Sequence, residues 1–381
     1  MKYFLIAGEA SGDLHAGRLI ASLKANDTNA EFRYLGGDFM EASAGVPPII
    51  HYKKMAYMAF SEVLRHLPQI LGNMKATKKA IDEFEPDALI LIDYPSFNLK
   101  IAKYAHSKGI KTFYYISPKV WSWKEYRVKD IKTYISRVFS ILPFETEFYK
   151  RHNYQVDYVG NPTANEIAEA RKHFLSFEEI LQRAGTADRR PIIALLPGSR
   201  VGEIRNNLPI MYQAAARFAN FQPVIASAPN IDKGFYAEAL KAKGIKAKPV
   251  MIEGNTFDLV AQSAVALVTS GTATLETAII GTPQIVCYRA NGSKLAYKLF
   301  ERILKVRFVS LPNLIADEEV VKEMLLHLCT PDAIAKELEP LLYDSPQWRK
   351  MDAGYRKISE RLGTNDSAET AAKEIVKDLL K

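Results

Sequence analysis

At 381 residues the chain is longer than one ordinary core and fits two domains of roughly 150–200 residues each. An apolar fraction of 48% beside 25% charged residues excludes a disordered chain, and no apolar run approaches the roughly 18 residues that span a bilayer. The net charge of +8 suits an anionic partner, whether nucleotide, phosphorylated substrate, membrane or nucleic acid.

The first apolar run, Tyr3 to Ala7, is a strand; it is too short and too quickly interrupted for a secretion signal, so a cytoplasmic chain is expected. It ends in Gly8-Glu9-Ala10-Ser11-Gly12-Asp13, after which Leu14, Leu19, Ile20 and Leu23 recur at helical spacing. Two glycines there allow close backbone approach to a ligand, and the next helix turns its amide ends toward it. The segment lacks the Gly-x-Gly-x-x-Gly spacing of a dinucleotide fold and the Gly-Lys-Ser/Thr ending of a P-loop, and a plain turn capped by Ser11 or Asp13 is the bland alternative.

Further on, Phe60, Val63, Leu64, Leu67, Ile70, Leu71 and Met74 fall at helical spacing, preceded by Met55, Tyr57 and Met58 and flanked by Arg65, Lys75, Lys78 and Lys79. An ordinary core-facing helix explains the stripe alone; the methionines and cations add a lipid or acyl-chain contact at Met58, Phe60 and Leu64. The strand Ala88 to Ile92 then runs into Asp93-Tyr94-Pro95-Ser96-Phe97-Asn98. A carboxylate after an apolar strand is partly desolvated, its pKa rises, and it can serve as a base; capping of the next helix is the alternative use. A helix from about Phe97 to Lys108 leads to a strand from Thr112 to Ile116.

A helical stretch, Phe174 to Arg183, meets the polar segment Gly185 to Arg190, the best candidate linker, and the alternation restarts. Strand Ile192 to Leu196 opens into Pro197-Gly198-Ser199-Arg200, where Gly198 and Ser199 can present amides to a diphosphate and Arg200 can neutralise it. A helix from Leu208 to Phe218 and strands Pro223 to Ala226 and Val265 to Val268 follow. Thr269-Ser270-Gly271-Thr272-Ala273-Thr274-Leu275-Glu276 is then a hydroxyl-rich turn entering a helix, suited to phosphate oxygens, with Glu276 placed to accept ribose hydroxyls. A capping box explains part of that pattern. Gln284 to Cys287 is another strand, and the charged segment 347–381 is helical. Apolar strands alternating with helices make both halves parallel α/β units, with ligands beyond the strands' carboxyl ends. The expected division is 1–184, 185–346, and a tail over 347–381 that packs on the N-terminal domain or a partner subunit.

Cys287 and Cys329 show no Cys-x-x-Cys pairing, and the chain has neither His-Glu-x-x-His nor Asp-x-Asp; no disulfide framework, zinc site, carboxylate-held metal or other cofactor is indicated. Leaving-group charge would be met by Arg200, amides and a helix dipole. No basic segment interleaved with aromatics suggests nucleic-acid binding.

Taken together these segments resemble the lipid-A-disaccharide synthase family over nearly the whole chain. The likeness rests on Gly8 to Asp13, Met58 to Leu64, Ile92 to Asn98, Tyr115-Ile116-Ser117-Pro118 with Val120-Trp121-Ser122-Trp123, and Ile141-Leu142-Pro143-Phe144-Glu145. It continues through Gly160-Asn161-Pro162, Leu196 to Arg200, Thr269 to Glu276 and Pro312-Asn313-Leu314-Ile315-Ala316. The resemblance implies a GT-B fold, two Rossmann-like domains with parallel sheets facing across a cleft. It implies an inverting transfer from UDP-2,3-diacylglucosamine to 2,3-diacylglucosamine 1-phosphate (lipid X), yielding a β-1,6-linked disaccharide 1-phosphate and UDP. The enzyme would work at the cytoplasmic face of the inner membrane, with a homodimer left open.

Asp93 then matches the family's candidate base, with Glu9 or His15 as alternatives; Arg200 matches its essential arginine and Asn313 its motif asparagine. Ser11, Gly12, Asn161, Gly198, Ser199, Ser270, Gly271, Thr272, Thr274 and Glu276 join Arg200 as substrate- or nucleotide-binding residues. Three departures stand out: Ala59 where the family carries glycine, Lys119 where a small residue is commoner, and Val321-Lys322-Glu323-Met324-Leu325-Leu326 in place of Val-Pro-Glu-x-x-Gln, which leaves Glu323 available. A UDP-sugar epimerase and a non-enzymatic lipid carrier are the rival readings.

Overall fold

The computed structural model describes residues 1–55, 66–289 and 307–381. Met58, Phe60 and Leu64 lie outside the described residues. The chain divides into two compact units, Met1–Pro162 with Thr364–Lys381, and Thr163–Gly363.

In the first unit the described strands are β1 (Lys2–Ala7), β2 (Glu31–Gly36), β3 (Ile50–His51), β4 (Ala88–Ile92), β5 (Lys111–Tyr115), β6 (Arg137–Ser140) and β7 (Asp157–Tyr158). They form one parallel sheet in the order β3-β2-β1-β4-β5-β6-β7. The central strands β1 and β4 are continuously apolar and buried, as strands covered on both faces must be. Their Tyr3, Leu5, Ala88 and Ile90 pack with Leu19 and Leu23 of the helix Ala10–Asn26 and with Ala371, Ala372, Ile375 and Val376 of the last helix, Ser367–Leu379.

The second unit repeats the plan with β8 (Ile192–Leu196), β9 (Gln222–Ser227), β10 (Val250–Glu253), β11 (Ser263–Thr269), β12 (Gln284–Tyr288) and β13 (Lys322–Leu325), ordered β10-β9-β8-β11-β12-β13. The helix Phe177–Ala184 belongs here: its Ile180 and Leu181 are buried against β8 and β9 residues. The polar segment 185–190 therefore lies inside the second unit, and the chain passes between units at Pro162–Thr163 instead. The tail is not one element either. Helix Pro346–Leu362 packs on the second unit through Met351 and Tyr355, the chain turns at Gly363 (φ 66), and Ser367–Leu379 returns to the first.

Candidate functional site

Each sheet reverses its strand order at one place, between β1 and β4 in the first unit and between β8 and β11 in the second. The crevice at such a reversal is where ligands bind in open α/β sheets. The four loops singled out by composition are the four that leave these strands.

After β4 the backbone takes two consecutive left-handed residues, Asp93 (φ 42) and Tyr94 (φ 46). Non-glycine residues in that region are strained and persist only where their surroundings over-determine them. Here Tyr114 Oη donates to the Asp93 carbonyl at 2.5 Å and Asn98 Nδ2 donates to it at 2.8 Å, while Tyr94 Oη reaches the Met55 carbonyl at 2.9 Å. A Cβ on Gly8 would stand 2.3 Å from the Tyr94 ring, so this glycine makes room for the aromatic side chain. Gly12, inside the helix Ala10–Asn26, would bring an added Cβ to ordinary contact with Ala7 and Ile92; it serves helix–sheet packing.

The half-buried Asp93 carboxyl is pushed up to about 6, first by burial and then by the Glu9 charge, with which it shares a hydrogen bond; Lys119 pulls the other way. Glu9 Oε1 also accepts from Ser11 Oγ at 3.0 Å. A carboxyl that changes charge near neutrality, in a crevice, can take a proton from a hydroxyl. Asp13 serves the fold instead. Its oxygens accept from the amides of Gly37 (2.6 Å), Phe39 (3.0 Å) and Met40 (3.2 Å), fixing the start of helix Asp38–Ala44. His15 is lowered to about 4 by burial and by Arg18, so its ring is neutral at physiological pH.

In the second unit, Gly198 has φ 108 and an added Cβ would strike the Glu203 side chain at 2.4 Å. Glu203 accepts from the Ser199 amide at 3.2 Å and lies 3.5 Å from Arg200 Nη1. A carboxylate thus occupies the Ser199 amide, and a diphosphate taking that amide would displace Glu203. After β11, Gly271 (φ 155, ψ −160) holds a conformation reserved for glycine and opens the helix Thr272–Ile280. Thr274, fully buried, spends its hydroxyl on the Gly271 carbonyl at 2.7 Å, so it shapes the turn. Ser270 is half-buried and Thr272 exposed. Thr269 Oγ1, buried at the strand end, has no hydrogen-bond partner among the described residues. Glu276 is raised to about 7 by burial and secondarily by Glu166 of the helix Pro162–Ala170, a neighbour no spacing suggested. Arg171 just beyond that helix donates to the carbonyls of Ile279 (2.8 Å) and Ile280 (3.3 Å), tying the two helices together.

Other expected site residues are engaged elsewhere. Asn313 is completely buried; its Nδ2 donates to Val321 O and Glu323 Oε1, both at 2.9 Å, and its Oδ1 accepts from the amides of Val320 (2.8 Å) and Val321 (2.9 Å). It is a bracket between the helix Leu311–Ala316 and the strand β13. Glu323 is not available: it accepts from Val309 N, Ser310 N and Ser310 Oγ as well as from Asn313. Asn161 donates to the Ile141 carbonyl at 2.8 Å at the end of the first unit's first segment. Of the described residues of the apolar stripe, Leu67 (45% exposed) and Leu71 (55%) stand in water on the helix Leu67–Phe84, while Ile70 and Met74 are half-buried.

The structure also adds groups. Glu145 is fully buried and raised to about 7 by that burial; Trp121 Nε1 donates to it at 3.0 Å and Ser140 Oγ lies 2.5 Å away. Cys287 and Cys329 are both buried free thiols; Cys287 Sγ donates to the Ile285 carbonyl at 3.8 Å, and burial pushes the Cys287 thiol up. Among the described residues no three His, Cys, Asp or Glu side chains are grouped to hold a metal ion, and no helix is long and apolar enough to cross a membrane.

A family model described as lipid-A-disaccharide synthetase matches residues 3–376. The lipid-A-disaccharide synthase of Myxococcus xanthus is 36% identical over 379 residues, covering 98% of this chain and 97% of its own. That of Nitrosococcus oceani is 36% identical over 366 residues, covering 94% and 92%. Among solved structures, the UDP-GlcNAc 2-epimerase of Neisseria meningitidis bound to UDP-GlcNAc superposes with a TM-score of 0.67 at 14% identity over 100% of both chains. The calicheamicin glycosyltransferase CalG4 does so at 0.57 and 14% identity, covering 99% and 98%. At those identities the structural likeness establishes the fold, a GT-B arrangement of two Rossmann-like units.

Proposed function

The chain belongs to the lipid-A-disaccharide synthase family, a glycosyltransferase of lipid A synthesis, and we propose that it joins UDP-2,3-diacylglucosamine to 2,3-diacylglucosamine 1-phosphate with inversion. The ionised Asp93 carboxylate accepts the proton of the acceptor's 6-hydroxyl as that oxygen bonds to the donor's anomeric carbon. The bond from that carbon to the UDP oxygen breaks, and the electron pair leaves with UDP. Arg200 and the amides of the Ser270–Thr274 turn meet the charge on the departing diphosphate, and Glu276 accepts from the ribose hydroxyls. The observation that carries this reading is a half-buried carboxyl raised to about 6 at a strand-order reversal, on backbone strained to hold it there.

Exposed Leu67 and Leu71, on the same helix as Lys75, Lys78 and Lys79, support peripheral binding at an anionic membrane surface. The test is mass spectrometry of purified chain incubated with both substrates: a tetraacyl disaccharide 1-phosphate and UDP in equal amounts are expected. The epimerase likeness of the fold keeps one other reading testable in the same run. Donor incubated alone is expected to stay unchanged, and its isomerisation would replace the transferase reading.

A further inference from the structure

Three cations gather on the rim where Asp93 lies, and the displacement described above uses none of them. Arg127 Nη2 donates to Ser96 Oγ at 3.0 Å, and Ser96 stands in the first turn of the helix Pro95–Ser107, directly beyond Asp93 and Tyr94. That hydrogen bond pins the guanidinium to a neutral group and leaves its charge uncompensated by it. The charge is felt at Tyr114, whose hydroxyl holds the Asp93 carbonyl. Lys119, exposed after β5, is near enough to Asp93 to oppose the rise of its pKa. Lys124 is half-buried; burial and then the neighbouring Arg127 lower its pKa.

Of the acids nearby, Asp93 and Glu145 both feel the Lys119 charge, but each has a nearer hydrogen-bond partner. Glu125 pairs with His152 at 2.9 Å. Glu9 and Asp93 share a hydrogen bond with each other, and Glu145 is enclosed behind Trp121. A guanidinium's planar fork matches two phosphate oxygens.

We propose that Arg127 and Lys119, backed by Lys124, form an anion subsite that holds a phosphate monoester on the same sugar whose hydroxyl Asp93 deprotonates. This rests on the transferase reading with a phosphorylated acceptor and deepens it: the subsite selects that acceptor over its neutral counterpart and fixes which hydroxyl faces the base. Lys119, a departure from the family pattern in sequence, becomes part of this chain's acceptor recognition.

The full-length chain is titrated with 2,3-diacylglucosamine 1-phosphate and with 2,3-diacylglucosamine, each in neutral-detergent micelles, and both are then compared as acceptors. Wild type is expected to bind the phosphorylated form roughly 10- to 100-fold more tightly, the range of charge-assisted hydrogen bonds. Arg127→Ala and Lys119→Gln are expected to shrink that ratio, Arg127→Lys to keep part of it, and all three to retain UDP binding, which checks folding. Equal wild-type affinity for the two forms, or variants that weaken both alike, would overturn the subsite. If wild type prefers the phosphorylated form but makes no disaccharide, the subsite stands and the transferase reading falls. If disaccharide forms equally well from both acceptors, the reverse holds.

Discussion

Asp93 and Glu9 are coupled acids, and the coupling predicts a pH profile. A base must be ionised to act, so kcat/KM should rise through an apparent pKa near 6, a value that belongs to the pair. Burial is the larger cause of that value and the Glu9 charge the next. Glu9→Gln removes the charge and should shift the acid limb to lower pH; Asp93→Asn should abolish the limb and cost about 100- to 10,000-fold in kcat. A limb unmoved in both variants would assign the base elsewhere. The place of Asp93, an acid ending a buried apolar strand, was legible in the sequence, where helix capping stood beside base chemistry as its use. Its coupling to Glu9 was not, since Glu9 reaches it only through the pairing of β1 with β4, a register that joins Ala7 to Ile92. Glu203 and Asn313 show the same limit from the other side. Both lie in motifs that read as ligand-binding, yet what they satisfy is backbone amides brought close by the fold.

Strands of the sheet centres, such as β4 and β8, are unbroken apolar runs and announce themselves. Edge-ward β2 reads Glu31-Phe32-Arg33-Tyr34, alternately exposed and buried, and β13 begins with Lys322; their polar residues hid them. Glu145 belongs to this scale because it joins elements: β6 through Ser140, and the short helix Val120–Trp123 through Trp121. Ser140 Oγ donates to Glu145 Oε2 at 2.5 Å and also faces the Leu142 carbonyl at 2.9 Å. Burial outweighs the bonds from Ser140 and Trp121, which favour the ionised form, and raises the carboxyl. An acid raised from 4.5 to about 7 on folding ionises first in the unfolded chain, so stability falls as pH climbs through that window and levels above it. Glu145→Gln keeps both hydrogen bonds and cannot ionise. Relative to wild type it should gain about 3 kcal/mol between pH 4 and pH 8 in urea unfolding, and an equal difference at both pH values would refute the neutral acid. The helix Leu67–Phe84 carries a separate prediction: Leu67→Asp with Leu71→Asp should lower co-sedimentation with anionic liposomes while UDP binding persists. Undiminished sedimentation would take the membrane contact away from this face.

At the scale of the whole chain the two units differ in continuity. The second is one stretch, Thr163–Gly363, whereas the first is closed by residues 364–381 from the far end of the sequence. Composition marked the tail as helical; it could not mark the division at Gly363, which depends on which apolar face each helix matches. Helix Ser367–Leu379 is capped by Asp366, which accepts from the Glu369 amide at 2.8 Å, and its Ala371, Ala372, Ile375 and Val376 fill the first core. Arg137 Nη2 reaches Glu374 at 3.1 Å and Lys111 reaches Asp378 at 3.0 Å across the same seam. Removing those apolar side chains forfeits roughly 5 kcal/mol of burial, comparable with the whole stability of an ordinary domain. A chain ending at Gly363 should therefore lose amide hydrogen-exchange protection in β1 and β4 while β8 and β11 keep theirs. Residues 163–363 expressed alone should fold and, carrying both nucleotide loops, bind UDP. Persisting protection of β1 and β4 in the truncated chain would mean that the last helix decorates the first unit instead of completing it.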